Sequence, residues 1–278
     1  MSAKDEMRER AAQARAESAA AQKKRDRMIA IIGASAIIAV VAAIGVYYVS
    51  RPSKPACIPG TSICEDRSAA LPATASATTY GVPAFPVKAN VPTVEVYEDF
   101  QCPICGEFEP QNGKRLVQWA KEGRINLVWR PATFLDTNLA KDNAKNGNPD
   151  SSVRATSAFG CAVDAGKGTE YHTAIFAAQP KAEGVGYSDA TLVALGAQAG
   201  ITGPAKVTFD SCVAAGTYRQ WAQNSYTQFV KNGMTGTPSV AINGKVQDNT
   251  VYLLNAAGTG VDTTGKKLWK ALQAAGAK

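Results

Sequence analysis

The chain has 278 residues, 45% of them hydrophobic, and a formal net charge of +7. Much of its basic charge crowds beside one long apolar run, so the charge reads as a topology signal, and no base-reading pattern points to nucleic acid. Its only histidine is His172, which starves most zinc and haem arrangements of ligands and leaves six cysteines as the main chemical resource.

Residues 1–27, rich in Ala, Glu, Lys, Arg and Gln, favour a solvated helix, read as a cytoplasmic N-terminal segment. Between Arg27 and Arg51 no charge occurs, and an apolar run of this length spans a hydrocarbon core of ~30 Å. A single transmembrane helix is therefore predicted over 28–50. Lys23, Lys24, Arg25 and Arg27 outnumber Arg51 and Lys54 on the far flank, which places the N-terminus in the cytoplasm and the remainder outside the cell membrane. All six cysteines lie beyond the run, where an oxidising space permits disulfides.

Residues 51–90 carry many Pro, Ala, Ser and Thr with no sustained apolar period, so they are predicted to form an extended extracytoplasmic tether. Cys57 and Cys64 can pair across its Pro-Gly turn, as a structural bridge or as a second redox relay. Residues 91–278 suffice for one sizeable core. Thr93 to Tyr97 reads as a strand, followed by a helix from Pro103 to about Glu122 that Pro110 should kink, then a strand from Ile125 to Trp129. From about 137 to 226 an Ala-rich pattern at helical spacing, with caps expected at Ser151 and Ser188, predicts an inserted helical subdomain. A short helix around Tyr226 to Val230, a strand at Ser239 to Ile242 ended by Asn243-Gly244, and an amphipathic helix at about Thr264 to Ala274 complete the α/β pattern.

Cys102-Pro103-Ile104-Cys105 carries the chemistry. Two cysteines at this spacing close a small exchangeable disulfide, although zinc ribbons and haem attachment sites share it. Haem would require a histidine directly after Cys105, where Gly106 stands, and no second cysteine pair or nearby histidine completes a zinc site. No metal or other cofactor is expected. Cys102 falls at a helix N-terminus, where the helix dipole and free N–H groups favour a thiolate, so it is predicted to exchange with substrate while Cys105, one turn inside, resolves.

The segment from Val94 to Cys105, together with Gly233-Met234-Thr235-Gly236-Thr237-Pro238-Ser239-Val240-Ala241-Ile242-Asn243-Gly244-Lys245, resembles the DsbA family of thioredoxin-fold oxidoreductases, most of all its membrane-anchored actinobacterial members. The resemblance covers essentially all of 91–278. It implies a thioredoxin-like fold with a helical insertion, a cis-proline at Pro238 beside the redox pair, main-chain groups of Thr237 that dock extended substrate, and supporting roles for Pro103 and Ile104. It also implies a structural disulfide between Cys161 and Cys212. Many relatives carry a carboxylate six positions before the first cysteine; that position is Val96 here, leaving Glu98 as a substitute proton relay. The Pro-Ile dipeptide implies a less extreme oxidant than Pro-His would. His172 reads as a packed helix residue, with a catalytic base as the sharper alternative.

The function implied is a membrane-tethered extracytoplasmic oxidase that forms disulfides in reduced exported proteins. A membrane quinone-linked partner of the DsbB or vitamin-K-epoxide-reductase-like (VKOR-like) type would reoxidise it. Two alternatives stand beside it: a reductase or isomerase on the same fold, and a non-catalytic peptide-binding or chaperone module that would work without its cysteines.

Overall fold

The computed structural model describes residues 57, 58, 60–255, 258 and 260–278, all within the unit Pro55–Lys278. The predicted transmembrane helix over 28–50 and the cytoplasmic segment 1–27 lie outside the described residues. No helix among the described residues is long and apolar enough to cross a membrane.

Five strands form one mixed sheet: β1 (Val82–Pro83), β2 (Thr93–Glu98), β3 (Asn126–Pro131), β4 (Ser239–Ile242) and β5 (Lys245–Val246), in the order β1-β3-β2-β4-β5. The central strand β2 runs parallel to β3, with Val96 beside Trp129, and antiparallel to β4, with Val96 beside Val240. Its alternation sends Val94 and Val96 into the main core at 0% and 1% exposure, while Tyr97 joins a smaller apolar cluster with Phe229 and Met234. Asn243 and Gly244, both at positive φ, make the tight turn that folds β5 back on β4, as that dipeptide predicts.

The crossover from β2 to β3 holds α1 (Pro103–Phe108), a π-helical turn (Glu109–Gly113) and α2 (Lys114–Lys121). Pro110 supplies no N–H for the ordinary ladder, and the helix widens there: Lys114 N–H donates to the Glu109 carbonyl five residues back. The expected kink is thus a π turn within a helix of the predicted extent.

Between β3 and β4 lie α3 (Leu135–Asn138), α4 (Ala140–Lys145), α5 (Ser151–Asp164), α6 (Gly168–Ala177), α7 (Asp189–Gln198), α8 (Gly203–Ala215) and α9 (Arg219–Lys231). After β5 come α10 (Asn249–Tyr252) and α11 (Lys266–Ala274). Helix α5 is buried nearly all round and is built of small residues, which lets neighbours approach closely; a Cβ on Gly160 would stand 2.8 Å from the Tyr218 ring. Ser188 caps α7 by accepting from Thr191 N–H at 3.1 Å. Ser151 does not cap α5. Asp150 takes the N-cap position at φ 50°, and the Ser151 hydroxyl instead accepts from Tyr187 N–H at 2.8 Å. The predicted short helix at Tyr226 to Val230 is the last part of the longer α9, which starts at Arg219 after Gly216 ends α8 in the left-handed conformation.

The tether expectation for 51–90 needs correction over its described part. Residues 57–90 pack onto the domain: β1 pairs with β3, Tyr80 and Val82 enter the main core at 1% and 2% exposure, and Ile58 joins the smaller cluster. The Tyr80 hydroxyl donates to Glu65 at 2.5 Å, and its carbonyl accepts from the Trp221 indole at 3.1 Å. A sparse apolar pattern rules out folding alone, but it says nothing against single side chains seating in another segment's core. Tyr80→Ala is therefore expected to destabilise the domain by ~3–5 kcal/mol, measured as a shift in the denaturant midpoint. A loose tether would give no shift.

Candidate active site

The end of β2 feeds a turn, Asp99 to Gln101, that delivers Cys102 to the start of α1. Cys102 is the N-cap, with extended backbone (φ −72°, ψ 116°), and Pro103 follows at the first helical position, where a missing N–H costs nothing. Buried polar side chains fix this turn. Asp99 accepts from the Gln101 and Leu135 N–H groups and from the Ser152 hydroxyl, while the Gln101 amide donates to Asp136, Asn143 and Ser152. Burial nevertheless pushes the Asp99 carboxyl up to about 8.

Two of the six cysteines are thiols, Cys102 and Cys105. Cys102 is 6% exposed and Cys105 fully buried, whereas Ile104 between them is 42% exposed beside the reactive sulfur. The Cys102 thiol is held down to about 6, chiefly by its hydrogen bond with the Cys105 thiol and also by the Ile104 and Cys105 N–H groups, against an upward push from burial. Burial, followed by Cys102 itself, pushes Cys105 well up. The two sulfurs thus differ in environment: Cys102 carries the lowered thiol at the helix start, Cys105 the fully buried, raised one.

Pro238 faces this pair. The Thr237-Pro238 peptide bond is cis, and the Thr237 carbonyl lies 3.3 Å from Cys102 Sγ. Tyr252 from α10 donates its hydroxyl to the Pro238 carbonyl at 3.0 Å and meets the Phe108 ring edge-on. Val96, at the position many relatives give to a carboxylate, is packed in the core, while Glu98 is buried behind the redox pair with Glu109 and His172. These three form a group of metal-ligand type, with one atom from each lying within 4.8 Å of the others.

The other cysteines are paired, Cys57 with Cys64 and Cys161 with Cys212. Cys161 is buried in α5, and its partner lies in α8. Two residues that hold the site carry no sequence signal. The Gln179 amide donates to the carbonyls of Phe100 and Cys102, both at 2.9 Å, and the Tyr187 hydroxyl donates to Phe100 at 2.9 Å. A Cβ on Gly106 would stand 2.1 Å from Gln179 Oε1, so glycine leaves room for that clasp. Their partners are more than seventy residues away, which hides them from any local pattern.

In the reduced protein, absorbance near 240 nm should follow thiolate formation with a midpoint near pH 6, and Cys102→Ser should remove that titration. A group depressed on folding adds stability that is full above its unfolded value, ~8.5, and lost as pH falls through the folded one. The reduced form should therefore gain stability relative to the disulfide form as pH rises from about 6 towards ~8.5. A difference that does not vary with pH would contradict this assignment.

A strand, a helix opening on one acidic thiol, a second thiol beneath it and a cis-proline across from them define a thiol-disulfide oxidoreductase on a thioredoxin-like fold. The chain belongs to the thioredoxin family whose model, described as Thioredoxin, matches residues 87–253. Among solved structures it is similar to the MdbA thiol-disulfide oxidoreductase of Actinomyces oris, at 18% identity and a TM-score of 0.56 over 73% of this chain and 89% of that one. It is also similar to oxidised BdbD of Bacillus subtilis, at 16% identity and a TM-score of 0.53 over 68% of this chain and 89% of that one. No curated protein sequence matches it.

Proposed function

We propose that this protein is an oxidase: anchored by its 28–50 segment, it gives the Cys102–Cys105 disulfide to reduced exported proteins outside the cell membrane. The observation that carries the direction is the Cys102 sulfur, whose lowered pKa stabilises the reduced form and so makes the disulfide an electron acceptor. A substrate thiolate attacks Cys102 Sγ, the Cys102–Cys105 bond breaks, and Cys105 leaves and gains a proton. A second substrate thiolate then attacks the substrate sulfur bound to Cys102, and Cys102 departs as a thiolate. The substrate loses two electrons and two protons; the enzyme holds the electrons as the Cys105 thiol and the Cys102 thiolate, one proton passing to Cys105 and the other to solvent.

The half-buried Thr237 and the exposed Ile104 would seat an extended segment of substrate through main-chain contacts, which suits varied clients. Turnover requires an acceptor for the two electrons, and a quinone-linked membrane protein of the DsbB or VKOR-like type fits an enzyme tethered to the same membrane. The apolar run and its basic flank support the tether.

A membrane-impermeant maleimide distinguishes the readings. In growing cells Cys102 and Cys105 should be mostly disulfide-bonded and should become labelled from outside after brief reduction. A pair that is reduced at steady state would favour a reductase or isomerase. Labelling only after lysis would refute the extracytoplasmic placement.

A further inference from the structure

Three buried side chains of metal-ligand type converge behind the redox pair from three elements: Glu98 at the end of β2, Glu109 in the π turn and His172 in α6. They are 4%, 7% and 2% exposed, and one ligand atom from each lies within 4.8 Å of the other two. Spacing along the chain hides the group, since His172 reaches it only through the insertion. Its surroundings hold it in place. Trp129 stacks on the imidazole at 3.8 Å, and the Phe100 and Phe176 rings tilt against it at 5.6 and 5.1 Å, which fixes its plane. A Cβ on Gly113 would stand 2.1 Å from Glu109 Oε1, so that glycine clears space for the carboxyl.

What the three side chains lack is partners. Among the described residues seven buried side-chain polar atoms have no hydrogen-bond partner, and three of them are Glu98 Oε1, Glu109 Oε1 and His172 Nδ1. Leaving one such atom dry costs ~1–3 kcal/mol, so three in one cluster point to a missing ligand. Within the group, His172 Nε2 and Glu98 Oε2 are hydrogen-bonded at 3.1 Å. Nδ1 and Glu109 Oε2 stand 3.6 Å apart, too far for a hydrogen bond. That separation is close to the edge of ~3.4 Å between two ligands of one tetrahedral ion with bonds of ~2.0–2.1 Å. The ion-pair partner of both glutamates among the described residues is His172 alone, while Arg130 is held by Glu95 at 2.8 Å. Two carboxylates buried this deeply need a counter-charge, which a cation supplies.

We propose that Glu98, Glu109 and His172 form a binding site for one divalent metal ion, zinc, held by one oxygen of each carboxylate and one imidazole nitrogen. The donor set decides the class. Two carboxylates and an imidazole suit zinc, whereas calcium takes ~6–8 oxygen ligands and magnesium keeps several waters, for which so buried a site has no room. A cavity of about 10 Å³ bordered by Glu98, Phe100, Trp129 and His172 is the size of one water, which can serve as a further ligand. The ion ties the end of β2, the π turn and the insertion together at one point, so that the helix carrying Cys105 is cross-linked to α6. This site goes beyond the exchange reaction, and it holds whichever way electrons flow through the cysteines.

The test is elemental analysis and zinc-edge X-ray absorption of the untagged full-length chain, produced in zinc-supplemented medium and purified in detergent. The chain is oxidised first, so that Cys102 and Cys105 form a disulfide and cannot hold the metal. About one zinc per chain is expected, with a first shell of nitrogen and oxygen at ~2.0–2.2 Å. His172 is the only histidine of the chain, so imidazole scattering beyond that shell identifies the site. Folded His172→Phe and Glu109→Gln should each retain less than about a tenth of the wild-type zinc, while Glu107→Gln, at an exposed position two residues away, should retain all of it. Wild type produced in zinc-depleted medium should melt ~5 °C or more below the loaded protein. Less than about 0.1 zinc per chain in the loaded, folded wild type overturns the proposal and leaves water as the partner of the three free atoms. A sulfur shell at ~2.3 Å, the absence of imidazole scattering, or undiminished zinc in either folded variant overturns it as well. If neither variant folds, the zinc content and imidazole signature of the wild type decide alone.

Discussion

Cys102→Ser should lower thiol-disulfide exchange by at least ~10³-fold, whereas Cys105→Ser should still react and then stall as a mixed disulfide through Cys102. The asymmetry follows from the two environments. Cys102 sits at the N-terminus of α1 with donors directed at its sulfur and its thiol lowered to about 6, so it is a good nucleophile near neutrality and a good leaving group. Cys105 is fully buried and pushed well up, so an external disulfide cannot reach it and it reacts only with a sulfur already bonded to Cys102. Trapping substrates on each single variant under non-reducing electrophoresis reads the difference. Adducts through Cys105, or equal trapping by both variants, would reverse the assignment.

Much of this site was legible because its chemistry is local. A cysteine pair after a strand, with proline at the first helical position, places one sulfur at a helix N-terminus wherever the helix forms. The π turn at Glu109–Gly113 follows from Pro110, although sequence indicated only a kink. What the sequence hid is long-range. Glu98 drew notice only as a neighbour of Val96, while Glu109 and His172 reach it from a different helix turn and from the insertion. Gln179 and Tyr187, which clasp the turn before Cys102, resemble any polar or aromatic helix residue until the chain has folded. The segment around Tyr80 was misread for the same reason, since its burial depends on Trp221 and β3.

Replacing Cys161 and Cys212 together by alanine should cost stability without costing chemistry. Their disulfide ties α5 to α8 with a sequence separation of 51, a loop whose closure in the unfolded chain is worth ~4 kcal/mol in the chain-entropy model. Alanine at 161 also leaves a small void in a fully packed helix, which adds to the loss. For a domain of this size the melting temperature should fall by roughly 8–16 °C, at about 2–4 °C per kcal/mol. Exchange with a small disulfide, measured well below that transition, should stay within about twofold of wild type, because neither sulfur is among the groups touching Cys102 or Cys105 and the clasp from Gln179 is left in place. A folded double variant that has lost exchange would make this pair part of the electron path. An unchanged melting temperature would mean that packing among the insertion helices alone sets their stability.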